Sequence, residues 1–127
     1  LFRYSGSKRW LTDYLYSLPE HKRLCELYLG SGSMIFNTNS QGYGIEANPM
    51  VVSIYKWLAT QNAESLRDLE KLRQSSFDSG ITDIRKIELE EGAFNYIRVN
   101  CCGLFAGDFQ SYKMYGKKFL PIDDTIA

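Results

Sequence analysis

The sequence predicts an α/β fold, because short apolar segments that suit buried strands alternate with longer segments of helical periodicity. A Gly-Ser-Gly bend after the first predicted strand supports this fold class, since open α/β sheets bind ligands at such bends. The 127 residues suit one hydrophobic core, and no apolar run is long enough to predict a membrane span. Only two convincing strands occur, so we expect the sheet to be incomplete.

The first half of the chain is predicted to alternate between helix and strand. Apolar residues at helical spacing predict a helix over 8–18, and an apolar run bounded by charge and glycine predicts a strand over 23–29. A short helix follows the bend, and a second strand is expected over 43–46. Asn48 and Pro49 then signal a helix start, because Asn caps free amides and Pro suits the first helical position. The apolar stripe of this helix consists of Met50, Val51, Ile54, Tyr55 and Leu58.

The second half is predicted to be mainly helical. Leucines at helical spacing predict a short amphipathic helix over 64–73, and the polar stretch 74–83 is typical of a loop. A further helix is expected from about Ile87, while the tail from Ala106 shows no clear periodicity. The apolar positions of that last helix are Phe94, Ile97, Cys101, Leu104 and Phe105.

Charge and cysteine content limit the choice of partners and compartment. Fifteen basic residues balance fifteen acidic ones, but the acids concentrate between Glu64 and Glu91 and the bases lie nearer the two ends. Such a chain can turn a basic face to an anionic partner, and an ordinary solvated surface is the alternative. The three cysteines lack metal-ligand spacing, and Cys25 is predicted to be a small core residue. A reducing, cytoplasmic location is therefore expected.

The Gly-Ser-Gly bend raises the question of what it holds. Gly30 and Gly32 allow a sharp turn and a close approach of the backbone to a ligand. Glu46, at the end of the second predicted strand, lies where nucleoside-binding α/β folds hold ribose hydroxyls, since a carboxylate accepts two hydrogen bonds from a diol. Together they describe an adenosine-type site without a phosphate grip. A tight turn and an unrelated surface acid are the alternative for each feature taken alone.

Three segments in order resemble a known family. The segments "FRYSGSKRWL", "CELYLGSGSMIFN" and "GYGIEANPMVVSIYKWL" are similar to the opening three motifs of the Dam-type DNA adenine-N6 methyltransferases, which use S-adenosyl-L-methionine. The resemblance covers roughly residues 2 to 62 and returns more loosely from Ala93 to Pro121. It implies a partial Rossmann-like class I methyltransferase fold with a mainly helical target-recognition insertion.

The resemblance also implies a division of the chain and a set of cofactor residues. Residues 1–58 would form the cofactor-binding part of the core, and residues 59–127 the recognition-like helical region with a basic tail. In the family the first motif reaches the methionine part of the cofactor. The sequence departs from the family at Leu27-Tyr28, where Pro-Phe is usual, and at Glu46, where Asp is usual. The implied cofactor-binding residues are Tyr4, Lys8, Glu26, Tyr28, Gly30, Gly32, Ser33, Glu46 and Asn48.

The resemblance implies double-stranded DNA as a partner, as in restriction-modification systems. The segment "NYIRVNCCGLFAGDFQSYKMYGKKF" is similar to the end of the family's recognition region, although Ala106-Gly107-Asp108 replaces an Arg-x-Asn pattern. Lysines interleaved with Tyr112 and Tyr115 can contact phosphates while the tyrosines stack on bases. A polar basic loop is the alternative. The implied DNA-binding residues are Arg98, Lys113, Lys117 and Lys118.

The family's catalytic motif, Asp-Pro-Pro-Tyr, does not occur in these residues. In family order it belongs downstream of Pro121, together with the remaining strands of the sheet. The chain as it stands is therefore expected to be inactive alone, with a further segment or a second chain completing the sheet. The leading hypothesis is the cofactor and recognition portion of an adenine-N6 methyltransferase. The alternative is a non-catalytic protein derived from a methyltransferase and used for binding or assembly.

Overall fold

The computed structural model describes residues 2–4, 23–32, 41–103 and 111–119. The helices predicted over 8–18 and from Ser33 lie outside the described residues. The described part contains two short strands followed by helices and one 3₁₀ turn. In chain order these elements are β1 (Arg23–Glu26), β2 (Gln41–Gly44), α1 (Pro49–Leu58), α2 (Ala63–Asp78), the 3₁₀ turn Ile84–Lys86 and α3 (Glu91–Cys101).

The two strands run parallel, with Arg23 opposite Gln41 and Glu26 opposite Gly44. Both predicted strands were misplaced: β1 ends at Glu26 rather than at residue 29, and β2 begins and ends earlier than 43–46. The reason is that the chain leaves the regular ladder at the bend after β1. One further rung forms there, because the Ile45 N–H donates to the Glu26 carbonyl at 2.8 Å.

Helix α1 begins where the sequence predicts, and it ends at Leu58, the last residue of the predicted apolar stripe. The Asn48 side-chain oxygen accepts a hydrogen bond from the Met50 N–H at 3.0 Å, and Pro49 occupies the first turn. Since α1 follows β2 closely, this cap fixes the direction in which the chain leaves the carboxyl end of the sheet. The buried residues of α1 are Val51, Ile54 and Trp57.

Helix α2 continues to Asp78, beyond its predicted end at Arg73, so the prediction of a loop over 74–83 is wrong in its first half. The side chain of Phe77 is partly buried against the core, which gives the extra turn an apolar contact that local polarity does not reveal. The helix ends before Gly80, whose φ of +88° lies in the left-handed region that glycine favours.

Helix α3 starts at Glu91, later than the prediction from Ile87, because residues 84–86 form a separate 3₁₀ turn. Leu104 and Phe105, predicted to continue it, lie outside the described residues. The prediction that Cys25 is a core residue is wrong, since its side chain is exposed on β1 beside the exposed ring of Tyr43.

The core is built mainly where α1 packs against α3. Trp57 and Tyr96 contact each other across this interface with ring centroids 5.3 Å apart. The helices on either side of the predicted boundary at residues 58 and 59 therefore share one core, and the division into two parts stays a prediction. The fully buried core residues of this region include Val51, Ile54, Leu66, Ile84, Tyr96, Ile97, Val99, Cys101, Cys102 and Met114.

None of the helices in the described ranges combines the length and the apolar character that a bilayer-spanning helix needs. The longest of them, α2, has 16 residues and is predominantly polar.

Gly92 is the position at which α1 and α3 approach most closely. A Cβ at Gly92 would collide with the Cβ of Trp57 and would lie 2.9 Å from the Ser53 carbonyl oxygen. We expect Gly92→Ala to lower the free energy of unfolding by about 1–3 kcal/mol, although alanine normally stabilises a helix interior. Urea unfolding measures this, with Glu91→Ala at the exposed neighbour as the control. A Gly92→Ala variant as stable as the parent chain would contradict the close packing.

Candidate functional site

The bend after β1 depends on two glycines. Gly30 and Gly32 have φ angles of +53° and +70°, in the left-handed region where a side chain causes strain. The Gly32 N–H closes the turn by donating to the Leu29 carbonyl at 2.8 Å. The turn thus brings backbone groups to the carboxyl end of the parallel pair, where open α/β sheets bind ligands.

The Glu46 carboxylate joins this bend to the end of β2. One of its oxygens accepts a hydrogen bond from the Gly30 N–H at 2.9 Å, and the other accepts from the Asn48 N–H at 3.2 Å. A carboxylate offers about four acceptor positions, so two remain after these contacts. The partly buried Glu46 side chain is therefore held in place and can still accept hydrogen bonds from a ligand.

Tyr4 lies against the outer side of the bend. A Cβ at Gly30 would lie 3.1 Å from a ring carbon of Tyr4, closer than a side chain normally comes. Phe2 contacts Tyr4 edge-on, with centroids 6.3 Å apart, and contacts Tyr55 in the same way at 5.5 Å. These aromatic contacts hold the N-terminal residues beside the bend.

Arg3 anchors the same segment to the far end of α3. Its backbone N–H donates to the Asn100 side-chain oxygen at 2.9 Å, and its guanidinium donates to the Asn100 carbonyl at 2.7 Å. The same guanidinium nitrogen also reaches the Lys118 carbonyl at 2.6 Å. Residues distant in sequence therefore fix the position of Tyr4.

Tyr55 is a site residue that the sequence analysis missed. Its hydroxyl donates a hydrogen bond to the Gly30 carbonyl at 2.6 Å, whereas the Glu46 carboxylate accepts one from the Gly30 N–H. Burial, followed by the negative charges of Glu26 and Glu46, raises the pKa of Tyr55, so the hydroxyl stays protonated even at alkaline pH where a free phenol ionises. The signal in the sequence was a phenol within an otherwise aliphatic stripe, which periodicity alone assigns to the core.

The implied cofactor residues fall into three groups. Tyr4, Gly30, Glu46 and Asn48 converge, and Gly32 shapes the same bend. Tyr28 points away from this cluster, with 90% of its surface exposed. Glu26 lies partly buried at the end of β1, whereas Lys8 and Ser33 lie outside the described residues.

Among the implied DNA-binding residues, Arg98 is buried, with 9% of its surface exposed. Its Nε donates to the Ser111 carbonyl at 3.2 Å, and its guanidinium lies over the Tyr112 ring, 4.0 Å from the centroid. These contacts tie α3 to the segment 111–119. The structure thus gives Arg98 a packing role, and its contact with DNA stays a prediction.

Three of the exposed cations of this region are Arg85, Lys113 and Lys118, and we call them together the basic surface. Arg85, which the sequence analysis did not select, lies 4.5 Å from the Tyr112 ring centroid. Lys117, the remaining implied lysine, is partly buried.

Two backbone bridges hold Lys113 and its neighbour Met114 in place. An antiparallel bridge pairs Asp83 with Lys113, and a second pairs Cys102 with Met114. A hydrogen bond from the side chain of Arg85 is the main reason that the pKa of Asp83 falls to about 2, so Asp83 is charged at neutral pH and holds the Arg85 side chain. The Lys113 ammonium lies 5.2 Å from the ring centroid of Tyr115, which remains partly exposed.

Comparison with known proteins adds no family to this geometry. The chain matches no model of a known protein family, and no curated protein matches it.

The hydroxyl of Tyr55 is expected to stabilise the bend. Tyr55→Phe removes the donor to a partly buried carbonyl, so we expect the free energy of unfolding to fall by about 1 kcal/mol. Urea unfolding gives this value. Tyr28→Phe, which removes a hydroxyl from an exposed ring, is the matched control and should change stability by much less. Equal losses in the two variants would show that the Tyr55 contact does not hold the bend.

Proposed function

We propose that this chain carries the S-adenosyl-L-methionine site and the DNA-contacting segment of a DNA adenine-N6 methyltransferase. The observation that carries the proposal is the Glu46 carboxylate, which the Gly30 N–H and the Asn48 N–H hold beside a glycine bend at the carboxyl end of two parallel strands. The resemblance of three ordered sequence motifs to that family supports the same assignment.

The arrangement suits the adenosine part of the cofactor. The free acceptor positions of Glu46 can take hydrogen bonds from the two ribose hydroxyls, and the glycines of the bend let a ligand approach the backbone. A carboxylate that is already oriented binds a diol more tightly, because less of the protein has to be ordered when the ligand binds. The contacts of Glu46 with the backbone supply that preorganisation.

The local charge favours a cationic ligand over a phosphorylated one. No Lys or Arg occurs in the sequence of the bend, 27–32, or in the stretch 45–50 that faces it. Glu26 and Glu46 instead create a negative field, which also contributes to the raised pKa of Tyr55. A sulfonium ion is stabilised in such a field, whereas a nucleoside triphosphate is repelled.

The basic surface supports the second part of the proposal. Lys113 and Lys118 are exposed cations that can neutralise phosphates, whereas Arg85 is already paired with Asp83, and the partly exposed ring of Tyr115 offers a stacking face. Methyl transfer to adenine also needs acceptors for the amino group of the extruded base. Because Asp-Pro-Pro-Tyr does not occur in this sequence, we assign those acceptors to a further segment or a second chain.

Calorimetric titration with S-adenosyl-L-methionine tests the proposal. The parent chain should bind saturably, and ATP should not bind. Glu46→Gln should weaken cofactor binding by about tenfold or more, because hydrogen bonds to a charged acceptor are worth about 1.5–3 kcal/mol. Glu46→Asp keeps the carboxylate and should retain most of the affinity.

The control is Glu88→Gln, which removes an exposed carboxylate that makes none of the contacts of the bend. It should leave cofactor affinity unchanged. Circular dichroism confirms that each variant is folded before titration. A folded parent chain that does not bind the cofactor, or equal loss of affinity in Glu46→Gln and Glu88→Gln, would refute the proposed site.

A further inference from the structure

A groove lies in the helical region, at a place that neither the cofactor site nor the basic surface uses. It has a volume of about 330 Å³ and is open to solvent along its length. One wall is α2, the other is the extended stretch 87–90 that precedes α3, and the end of α1 closes the floor. The lining residues are Trp57, Gln61, Ser65, Asp68, Leu69, Leu72, Glu88, Leu89, Glu90 and Ala93.

The floor of the groove is apolar. Trp57 and Ala93 are buried beneath it, while Leu69 on one wall and Leu89 on the other are partly buried. Leu72 leaves 45% of its surface exposed, which is a large fraction for a leucine beside a core. On α2 the lining residues recur at helical spacing over about two turns, so the groove has the length of a short helical segment.

The rim of the groove is acidic. Asp68 projects from α2, and Glu88 and Glu90 belong to the opposite wall. No Lys, Arg or His occurs among the described residues that line the groove. Across the described ranges, the ion pairs of the chain involve other acids, Glu70 and Asp83, and none involves these three carboxylates. Their charge is therefore available to a cationic partner.

This polarity is opposite to that of the basic surface. DNA would be repelled by the rim, and the apolar floor offers nothing to a phosphate backbone. A partner that complements the groove must present apolar side chains between cations. A helix with leucine-like residues one turn apart and Lys or Arg on either side has this pattern, and helix-in-groove binding is a recurrent mode of recognition.

We propose that this groove binds a basic amphipathic helix of another protein. Two apolar side chains of that helix pack on Leu72 and Leu89, and its flanking cations pair with Asp68, Glu88 and Glu90. The basic surface stays free to contact an anionic partner, so one helical region has two binding faces of opposite charge. Three of the acids that lie between Glu64 and Glu91 in the sequence acquire a role in this way.

The test uses a fluorescently labelled synthetic peptide in which leucines at helical spacing alternate with lysines. Fluorescence anisotropy should show saturable binding to the full chain that weakens with added salt. The triple variant Asp68→Asn, Glu88→Gln, Glu90→Gln should weaken binding by about tenfold, as expected for the loss of three exposed ion pairs. Leu72→Ser, at a partly exposed position, should weaken binding without unfolding the chain.

The matched control removes three exposed acids outside the groove, in the variant Glu64→Gln, Asp78→Asn, Glu91→Gln. It carries the same change in net charge and should bind the peptide like the parent chain. Equal weakening in both triple variants would overturn the proposal, because it would show attraction by net charge alone. Equal binding of a scrambled peptide with the same composition, or no binding of the basic peptide, would overturn it as well.

Discussion

The hydrogen bond between the Glu46 carboxylate and the Gly30 N–H is the constraint on which the rest of the candidate site depends. It links the segment after β2 to the bend after β1, and the second carboxylate oxygen links the same side chain to the start of α1 through the Asn48 N–H. A single side chain thus joins both strand ends and a helix. The Tyr55 hydroxyl completes the arrangement by binding the Gly30 carbonyl, so the peptide groups on both sides of the Gly30 Cα are fixed.

In this arrangement the backbone at Gly30 adopts a conformation that glycine favours, and the Glu46 carboxylate is held as a preorganised acceptor. The left-handed conformation of Gly30 and the nearby ring of Tyr4 leave no room for a side chain at this position. The carboxylate that holds the bend is also the group proposed to hold the ribose. Ligand binding would therefore require little reorganisation, because the acceptor is already oriented before the ligand arrives.

The helical region carries exposed charges of both signs at different places. Asp68, Glu88 and Glu90 lie on the rim of the groove between α2 and the stretch 87–90, whereas Lys113 and Lys118 lie on the segment 111–119. The buried Arg98 connects the segment that carries the basic surface to α3 through Ser111 and Tyr112. A chain with no net charge can in this way present an anionic and a cationic face to different partners.

Local signals predicted part of this structure, and contacts distant in sequence account for what was missed. Asn48 and Pro49 fixed the start of α1 in advance, since a helix cap depends on neighbouring residues. Motif positions assigned Glu46 and the bend to one site, but the hydrogen bond that joins Glu46 to Gly30 was not predicted. The end of α2 was missed because Phe77 packs against a core that its own sequence neighbours do not reveal.

The burial of charged and polar groups was the hardest feature to predict. Arg73 ends the amphipathic helix that the sequence predicts over 64–73, yet its side chain is fully buried and forms a 2.7 Å ion pair with Glu70. Arg98 was assigned to a surface role, and Tyr55 to an apolar stripe. The partner of Arg73 lies three residues away on the same helix, a spacing that many pairs share. The partners of Arg98 and Tyr55 lie on distant segments. Residue type alone therefore did not identify these partners.

The most direct test of the central claim is an NMR titration of the isotope-labelled chain with S-adenosyl-L-methionine. If the bend and Glu46 form the cofactor site, the amide signals of Gly30, Gly32 and Asn48 should shift together and saturate with one dissociation constant. The amide of Lys113, on the basic surface, should stay unchanged. Saturating shifts that leave Gly30 and Asn48 unaffected, or no shifts in a folded chain, would contradict the assignment of this bend as a cofactor site.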